Sequence, residues 1–327
     1  MIYRSYLEPM KALTYHTYGG REVYALEDVP EPGVPSAGDV RVRIHAASIN
    51  PVDAKVRRGE LKLIAGGRFP KRPGLDFSGV VEAVGEGVSQ FVAGDAVYGA
   101  ARSMSEGAFC EHALVHAASI ARKPAKIDYV AAAGVPTVAI AALQSLRDIV
   151  KVSNGDRILV NGCTGGVGLF ALQLAKRSGA IVTGVCGTDG VALASEFGAD
   201  EVIDYKKNDP ARFGGPHRAI LELSGKLSFE AAHPILEHNG IYVDFSPSPA
   251  ALIGNTIANP FRQQKHLFAM TSAKTADLEW LAQQIDSGDL RPAPTRSFPL
   301  ERFAEAFALA EGGGTLGKIV VSLMADA

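Results

Sequence analysis

Apolar positions along the chain follow two rhythms. Between residues 39 and 98 they fall in short runs, Asp39-Val-Arg-Val-Arg-Ile-His45, Gly79-Val-Val-Glu-Ala-Val84 and Ala96-Val-Tyr98, separated by Pro and Gly. That spacing predicts short strands of a compact, mostly β, barrel-like unit. From Arg157 onward, continuous apolar runs alternate with helical spacing. Strands are predicted over 157–161, 181–187, 201–205, 218–223, 240–245 and 266–271, with helices over 169–178, 191–197 and 229–236. Repeated strand, helix, strand order predicts a doubly wound parallel sheet, a Rossmann-type α/β unit. Residues 129–150 read as helical and lead into it. After Thr275 come a helix over 277–285, an extended 296–300, a helix over 301–310 and a strand over 317–323, which return the chain to the first unit. The expected domains are 1–130 with 273–327, and 131–272.

The 327 residues suit two domains, and 47% hydrophobic content supplies two cores. A net charge of -2 lacks the excess of Lys and Arg that nucleic acid or an anionic membrane requires, and Arg57-Arg58 and Lys206-Lys207 are short. No nucleic-acid partner is expected. No window approaches the roughly 18 apolar residues of a membrane span, and 1–20 lacks a signal-peptide core. Met10 offers an alternative start, with 1–9 as a tail. Cys110, Cys163 and Cys186 show neither zinc-clip spacing nor a disulfide framework, so a cytoplasmic, reducing location is expected. His112 and His116 are four apart, but Ala108-Phe-Cys-Glu-His-Ala-Leu-Val115 reads as a strand, which would hold the rings roughly 13 Å apart.

The densest chemistry lies in Arg157-Ile-Leu-Val-Asn-Gly-Cys-Thr-Gly-Gly-Val-Gly168, a strand running into glycines and then a helix. Glycines let the backbone approach a pyrophosphate, and the helix start stabilises its charge. Cys163 stands at the first glycine position of the dinucleotide fingerprint, and Gly165 and Gly168 hold the other two. Thr164, Gly165, Gly166 and Val167 are therefore candidate cofactor contacts. The second strand ends Val185-Cys186-Gly187, without the carboxylate that binds a ribose 2′-hydroxyl in NAD sites. Room for a 2′-phosphate favours NADPH, against which Asp189 counts. Ligands sit beyond the carboxyl ends of parallel strands, which adds Gly187, Thr188, Ser224, Phe245 and Ser246.

Segments across nearly the whole chain carry a family resemblance. They are Ala46-Ala-Ser-Ile-Asn-Pro-Val-Asp-Ala-Lys55, Pro73-Gly-Leu-Asp-Phe-Ser-Gly-Val-Val81, Gly94-Asp-Ala-Val-Tyr-Gly99, Gly165-Gly-Val-Gly168, Gly198-Ala-Asp-Glu-Val-Ile-Asp-Tyr205 and Gly317-Lys-Ile-Val320. In this order they resemble the medium-chain dehydrogenase/reductase superfamily, which joins a GroES-like β domain to a Rossmann domain. Within it they resemble the zinc-free quinone oxidoreductase branch, with zeta-crystallin and the alkenal/oxo-ene reductases. Zinc members place a cysteine where this chain has Asn50, and Gly-His-Glu where it has Gly74-Leu75-Asp76, so no metal is expected.

The resemblance implies that Tyr205 contacts the 2′-phosphate, that Lys318 falls in a cofactor-binding motif, and that Asn50 lies near the nicotinamide. Without a Lewis acid the acceptor must be an activated one, a quinone or an α,β-unsaturated carbonyl, with hydrogen bonds to the developing oxyanion. Lys55 is the expected oxyanion donor or proton source, and Asp53 an orienting carboxylate. The resemblance also implies a homodimer, placed at an edge strand near 266–271. The substrate pocket is expected in apolar loops 61–69 and 251–261. Two alternatives are an enoyl-thioester reductase of the same superfamily and a non-catalytic NADPH-binding redox sensor or structural protein.

Overall fold

A computed structural model describes residues 9–212, 214–246 and 249–324; residues 1–8, and with them most of the expected tail, lie outside that range. The chain divides into two compact units, Met1–Thr137 with Ala273–Ala327, and Val138–Ser272. The first boundary falls beyond the expected residue 130, because the helix Tyr129–Ala133 packs on strands of the first unit.

In the second unit six strands run parallel: β1 (Arg157–Asn161), β2 (Ile181–Cys186), β3 (Glu201–Asp204), β4 (His217–Glu222), β5 (Leu236–Asp244) and β6 (Lys265–Phe268). Their order across the sheet is β3-β2-β1-β4-β5-β6. The connection reverses direction between β1 and β4, which is where sheets of this kind bind their ligands. Leu159, Val185, Ile220 and Tyr242 supply core from four adjacent strands. Helix α1 (Gly166–Arg177) follows β1 directly and buries Leu169, Phe170, Leu172 and Leu174.

The first unit is built on a seven-stranded sheet, mostly antiparallel, whose central pair is Asp39–Ser48 with Asp76–Val84. Its core gathers Val40, Val42, Ile44, Phe77, Phe109 and Phe307. The C-terminal strand Lys318–Ser322 lies antiparallel to Asp39–Ser48, with Val320 opposite Ser48. This pairing brings the end of the chain beside the turn that starts at Ile49.

Several elements differ from expectation. The helix over 129–150 is three pieces, Tyr129–Ala133, Pro136–Gln144 and a wider π-type stretch Ser145–Val150; Gly134 and the ring of Pro136 separate the first two. Only Phe229–Ala232 of 229–236 is α-helical; Pro234 tightens the next turn, and Leu236 already opens β5. The loops expected to shape the substrate pocket contain helices Lys62–Ala65 and Pro249–Ala258. His112 and His116 do lie on one strand, and each has its own carboxylate: Glu82 at 2.9 Å and Asp39 at 2.7 Å.

Candidate functional site

Two constellations carry the chemistry, one in each unit. In the second, Gly162 opens the turn with a φ of +86°, a conformation that favours glycine. Gly165 stands before the first helical residue, and Gly165, Gly166 and Val167 are half-buried. A methyl group on Gly168 would stand 2.5 Å from the Cys163 backbone, so only glycine lets α1 pack this closely on the loop. First-turn N–H groups have no partner inside their own helix. The loop thus presents free donors at the positive end of a 12-residue helix, a cradle suited to a diphosphate. Thr164 is buried, with its side chain packed toward Gly190.

At the end of β2, a methyl group on Gly187 would lie 3.2 Å from the Tyr205 hydroxyl oxygen and 3.5 Å from Lys206 Cε. Gly187, Tyr205 and Lys206 therefore share one patch, and Tyr205 is exposed. Asp189 is 88% exposed and lies 3.9 Å from Lys206 Nζ, which offsets its charge there. The Thr188 hydroxyl donates to Asp204 at 2.7 Å. Ser224 belongs to a network around Glu222, a buried carboxylate ending β4. Ser224 N–H and Oγ donate to Glu222 Oε1 at 2.8 and 2.7 Å, and Asn161 Nδ2 donates to Glu222 Oε2 at 2.5 Å and Ser224 Oγ at 2.9 Å. This ties the ends of β1 and β4 together. Phe245 N–H donates to the Glu222 carbonyl, and the exposed Ser246 donates its N–H to Asp244 Oδ1.

The first unit's constellation gathers around Asn50, which precedes the helix Pro51–Arg57. Lys318 Nζ donates to Asn50 Oδ1 at 2.7 Å and to the Ile49 carbonyl at 3.0 Å. Asn50 Nδ2 donates to Asp76 Oδ2 at 2.9 Å. Asp76 also accepts from Ser48 Oγ at 3.3 Å, from Thr137 N–H at 3.0 Å, and from the Thr137 hydroxyl. An ammonium on one side and a carboxylate on the other fix which amide atom is oxygen and which nitrogen. One N–H of Nδ2 stays uncommitted among the described residues.

Asp53 closes the helix start, its Oδ2 accepting the Asn50 N–H at 2.7 Å and Oδ1 the Gly74 N–H at 3.0 Å. Burial pushes its carboxyl up to about 6, against the two backbone donors that favour the charged form. Burial likewise holds the Lys318 ammonium below its ordinary range, while Asp76 and Asp53 oppose that shift. The structure thus brings together Asn50, Asp53 and Lys318. Lys55 is not among them: it is half-buried on the next turn and its ammonium makes no hydrogen bond or ion pair in this cluster. Asp76 and Thr137 were missed as site residues. A charged residue heading the apolar run Asp76-Phe-Ser-Gly-Val-Val81 was the available signal for the first, and nothing in the sequence marks the second.

Among the described residues no three His, Cys, Asp or Glu side chains converge as a metal would need, and no helix is long and apolar enough to cross a membrane. Over residues 36–125 the chain matches the family described as alcohol dehydrogenase GroES-like domain, and over 197–321 the one described as zinc-binding dehydrogenase. It is 31% identical, over 95% of its length and 98% of the relative's, to a chloroplast envelope quinone oxidoreductase homolog of Arabidopsis thaliana. The chain belongs to the medium-chain dehydrogenase/reductase superfamily.

Within that superfamily it falls in the quinone oxidoreductase-like branch and is an NAD(P)H-dependent oxidoreductase. The human mitochondrial NAD(P)H oxidoreductase RTN4IP1 is 30% identical over 96% of this chain and 89% of that one. The solved quinone oxidoreductase of Coxiella burnetii superimposes with a TM-score of 0.86 at 27% identity, covering 97% of this chain and all of the other. The chain itself combines a GroES-like unit with a Rossmann-type parallel sheet.

Proposed function

We propose that this chain is a zinc-independent, NADPH-dependent reductase of quinones or α,β-unsaturated carbonyls. The observation that carries the proposal is the Lys318–Asn50–Asp76 chain of hydrogen bonds. Zinc members of the superfamily keep metal ligands at the positions of Asn50 and Leu75-Asp76. Here Asn50 Oδ1 is already taken by an ammonium, a cation supplied by the protein itself, and neither an amide nor a leucine offers the thiolate or imidazole zinc requires.

When bound, the nicotinamide supplies a hydride. The chain's own part is holding and charge control. Thr164 to Val167 and the start of α1 would hold the diphosphate. Gly187 leaves room for a 2′-phosphate, and Tyr205 and Lys206 flank that room with a hydroxyl and a positive charge. In the first unit the uncommitted N–H of Asn50 serves as hydrogen-bond donor to the acceptor oxygen as negative charge grows there. Lys318 and Asp76 are positioning residues: they prevent the amide from turning over. In this reading Lys318 takes the electrostatic role expected of Lys55, and the oxyanion is then protonated from water. The β6 edge, Lys265–Phe268, is where a second copy would pair to form a homodimer.

NADPH consumption measured with a panel of quinones, enones, crotonyl thioesters and simple ketones tests the reading. Turnover confined to quinones and enones, undiminished by chelators, is the expected result. Turnover of isolated ketones that chelation abolishes would overturn it.

A further inference from the structure

Cys163 and Cys186, distant in sequence, meet inside the second unit. Parallel pairing sets Asn161 of β1 opposite Val185 of β2, so the phosphate loop emerges over the end of β2. The N–H groups of Gly162 and Cys163 both donate to the Val185 carbonyl, at 3.0 and 3.1 Å. Side chains alternate along a strand, so Gly184 and Cys186 face the same side. A methyl group on Gly184 would stand 2.9 Å from Cys163 Sγ. The Cys163 sulfur therefore occupies the space left by a glycine, on the face from which Cys186 projects.

Both side chains are buried, on the same face of β2. Each thiol shifts the other: their interaction lowers the Cys186 thiol from its ordinary range and raises Cys163. Neither thiol is used in the hydride chemistry. Cys110 lies apart in the first unit, buried, its thiol pushed up to about 11.

We propose that Cys163 and Cys186 form a reversible dithiol–disulfide pair, oxidised by hydroperoxides, that switches the dinucleotide cradle between a competent and an incompetent shape. The Cys186 thiolate attacks one oxygen of the peroxide, the O–O bond breaks, and the departing hydroxide takes up the thiol proton as water. The resulting sulfenic acid is attacked by the Cys163 sulfur. The S–O bond breaks, the S–S bond forms, and a second water leaves with the Cys163 proton. Two thiols and one hydrogen peroxide give one disulfide and two waters, a two-electron oxidation that a dithiol reductant reverses.

A disulfide is about 2.05 Å long, much shorter than any non-bonded contact between two sulfur atoms, so its formation draws Cys163 toward β2. The first turn of α1 cannot stay behind, because Gly168 packs directly on the Cys163 backbone. The donors from Thr164 to Val167 are pulled out of register with a diphosphate. This consequence rests on reading the loop as the dinucleotide cradle, whereas disulfide formation does not. Linkage makes the effect reciprocal: if the disulfide weakens dinucleotide binding about tenfold, bound dinucleotide makes the disulfide easier to reduce by about 30 mV.

The test treats the full-length, cofactor-free protein with hydrogen peroxide, then measures intact mass, non-reducing peptide maps and NADPH affinity before and after dithiothreitol. The expected result is a loss of about 2 Da, a cross-linked peptide joining Cys163 to Cys186, and NADPH binding weakened about tenfold or more and restored by the reductant. Bound NADPH should slow the cross-link. Cys110→Ala should respond like the wild type. Cys163→Ala and Cys186→Ala, each compared with its own untreated affinity, should not respond, and either variant alone is sufficient if the other fails to fold. Absence of the cross-link, or a cross-link that leaves NADPH affinity unchanged, would overturn the switch. A cross-link in a protein whose reduced form binds no NADPH would overturn the dinucleotide reading of the loop, and with it the switch.

Discussion

Lys318→Met removes one cation and keeps an unbranched apolar stem of similar reach. Two buried acceptors then lose their donor, Asn50 Oδ1 at 2.7 Å and the Ile49 carbonyl at 3.0 Å, each costing about 1–3 kcal/mol. Relief of the ammonium's desolvation works in the opposite direction, and that desolvation is real, since it already holds the group below its ordinary range. The net expected loss is about 3 kcal/mol, within the usual cost of breaking one side of a buried charged contact. The single tryptophan, Trp280, lies on the first-unit helix Thr275–Ser287. Its fluorescence during denaturant unfolding therefore follows the affected unit. Asn50 loses the contact that fixes its amide, so kcat should fall by about tenfold to a hundredfold, with a smaller change in KM.

The pH dependence has a definite sign. A lysine whose folded pKa is depressed binds its proton less tightly in the native state, so wild-type stability should gain from this group as pH rises toward its ordinary 10.5. Lys318→Met should lack that alkaline gain. A cost under about 0.5 kcal/mol together with unchanged kcat would refute the claim that this ammonium holds the Asn50 amide.

Asp53→Asn should flatten the acid limb of the first unit's stability: with its carboxyl raised from 3.8 to about 6, wild-type stability falls as pH rises through that window. The integrated effect is roughly 3 kcal/mol, and thermal melts across the window that superimpose for the two proteins would contradict it. Gly187→Asp should reverse cofactor preference. A carboxylate about 4 Å from a 2′-phosphate costs roughly 4 kcal/mol per unit charge at an effective dielectric of 20, less with solvent and salt. The NADPH to NADH ratio of kcat/KM should drop by about a hundredfold, and an unchanged ratio would remove Gly187 from the 2′-phosphate site.

The parallel sheet was legible because its strands are buried on both faces, so each appears as a continuous apolar run with glycine or polar punctuation. The first unit was harder to read for a physical reason. Strand Asp39–Ser48 continues past His45 through Ala46, Ala47 and Ser48, and its partner begins at Asp76, a charge that hydrophobic patterning excludes. Asp76 can sit at a buried strand start only because Ser48, Asn50 and Thr137 satisfy it. Those partners come from two segments, 48–50 and 137, brought to Asp76 by register, which periodicity does not encode. Lys318 shows the same limit from the other end of the chain. A lysine leading the run Ile-Val-Val looks like an exposed strand end, and its ammonium is buried because Val320 pairs with Ser48 and so places residue 318 beside Asn50. Lys55 was the expected donor because an ammonium both donates a hydrogen bond and attracts negative charge. The helix Pro51–Arg57 instead carries it onto another turn, away from the Lys318–Asn50–Asp76 contacts. Cys163 and Cys186 follow the same logic: β1 and β2 are separated by a whole helix, and only their parallel pairing puts one sulfur over the glycine that neighbours the other. A charged or reactive residue at the border of an apolar run therefore identifies a candidate, and the choice among candidates belongs to strand register.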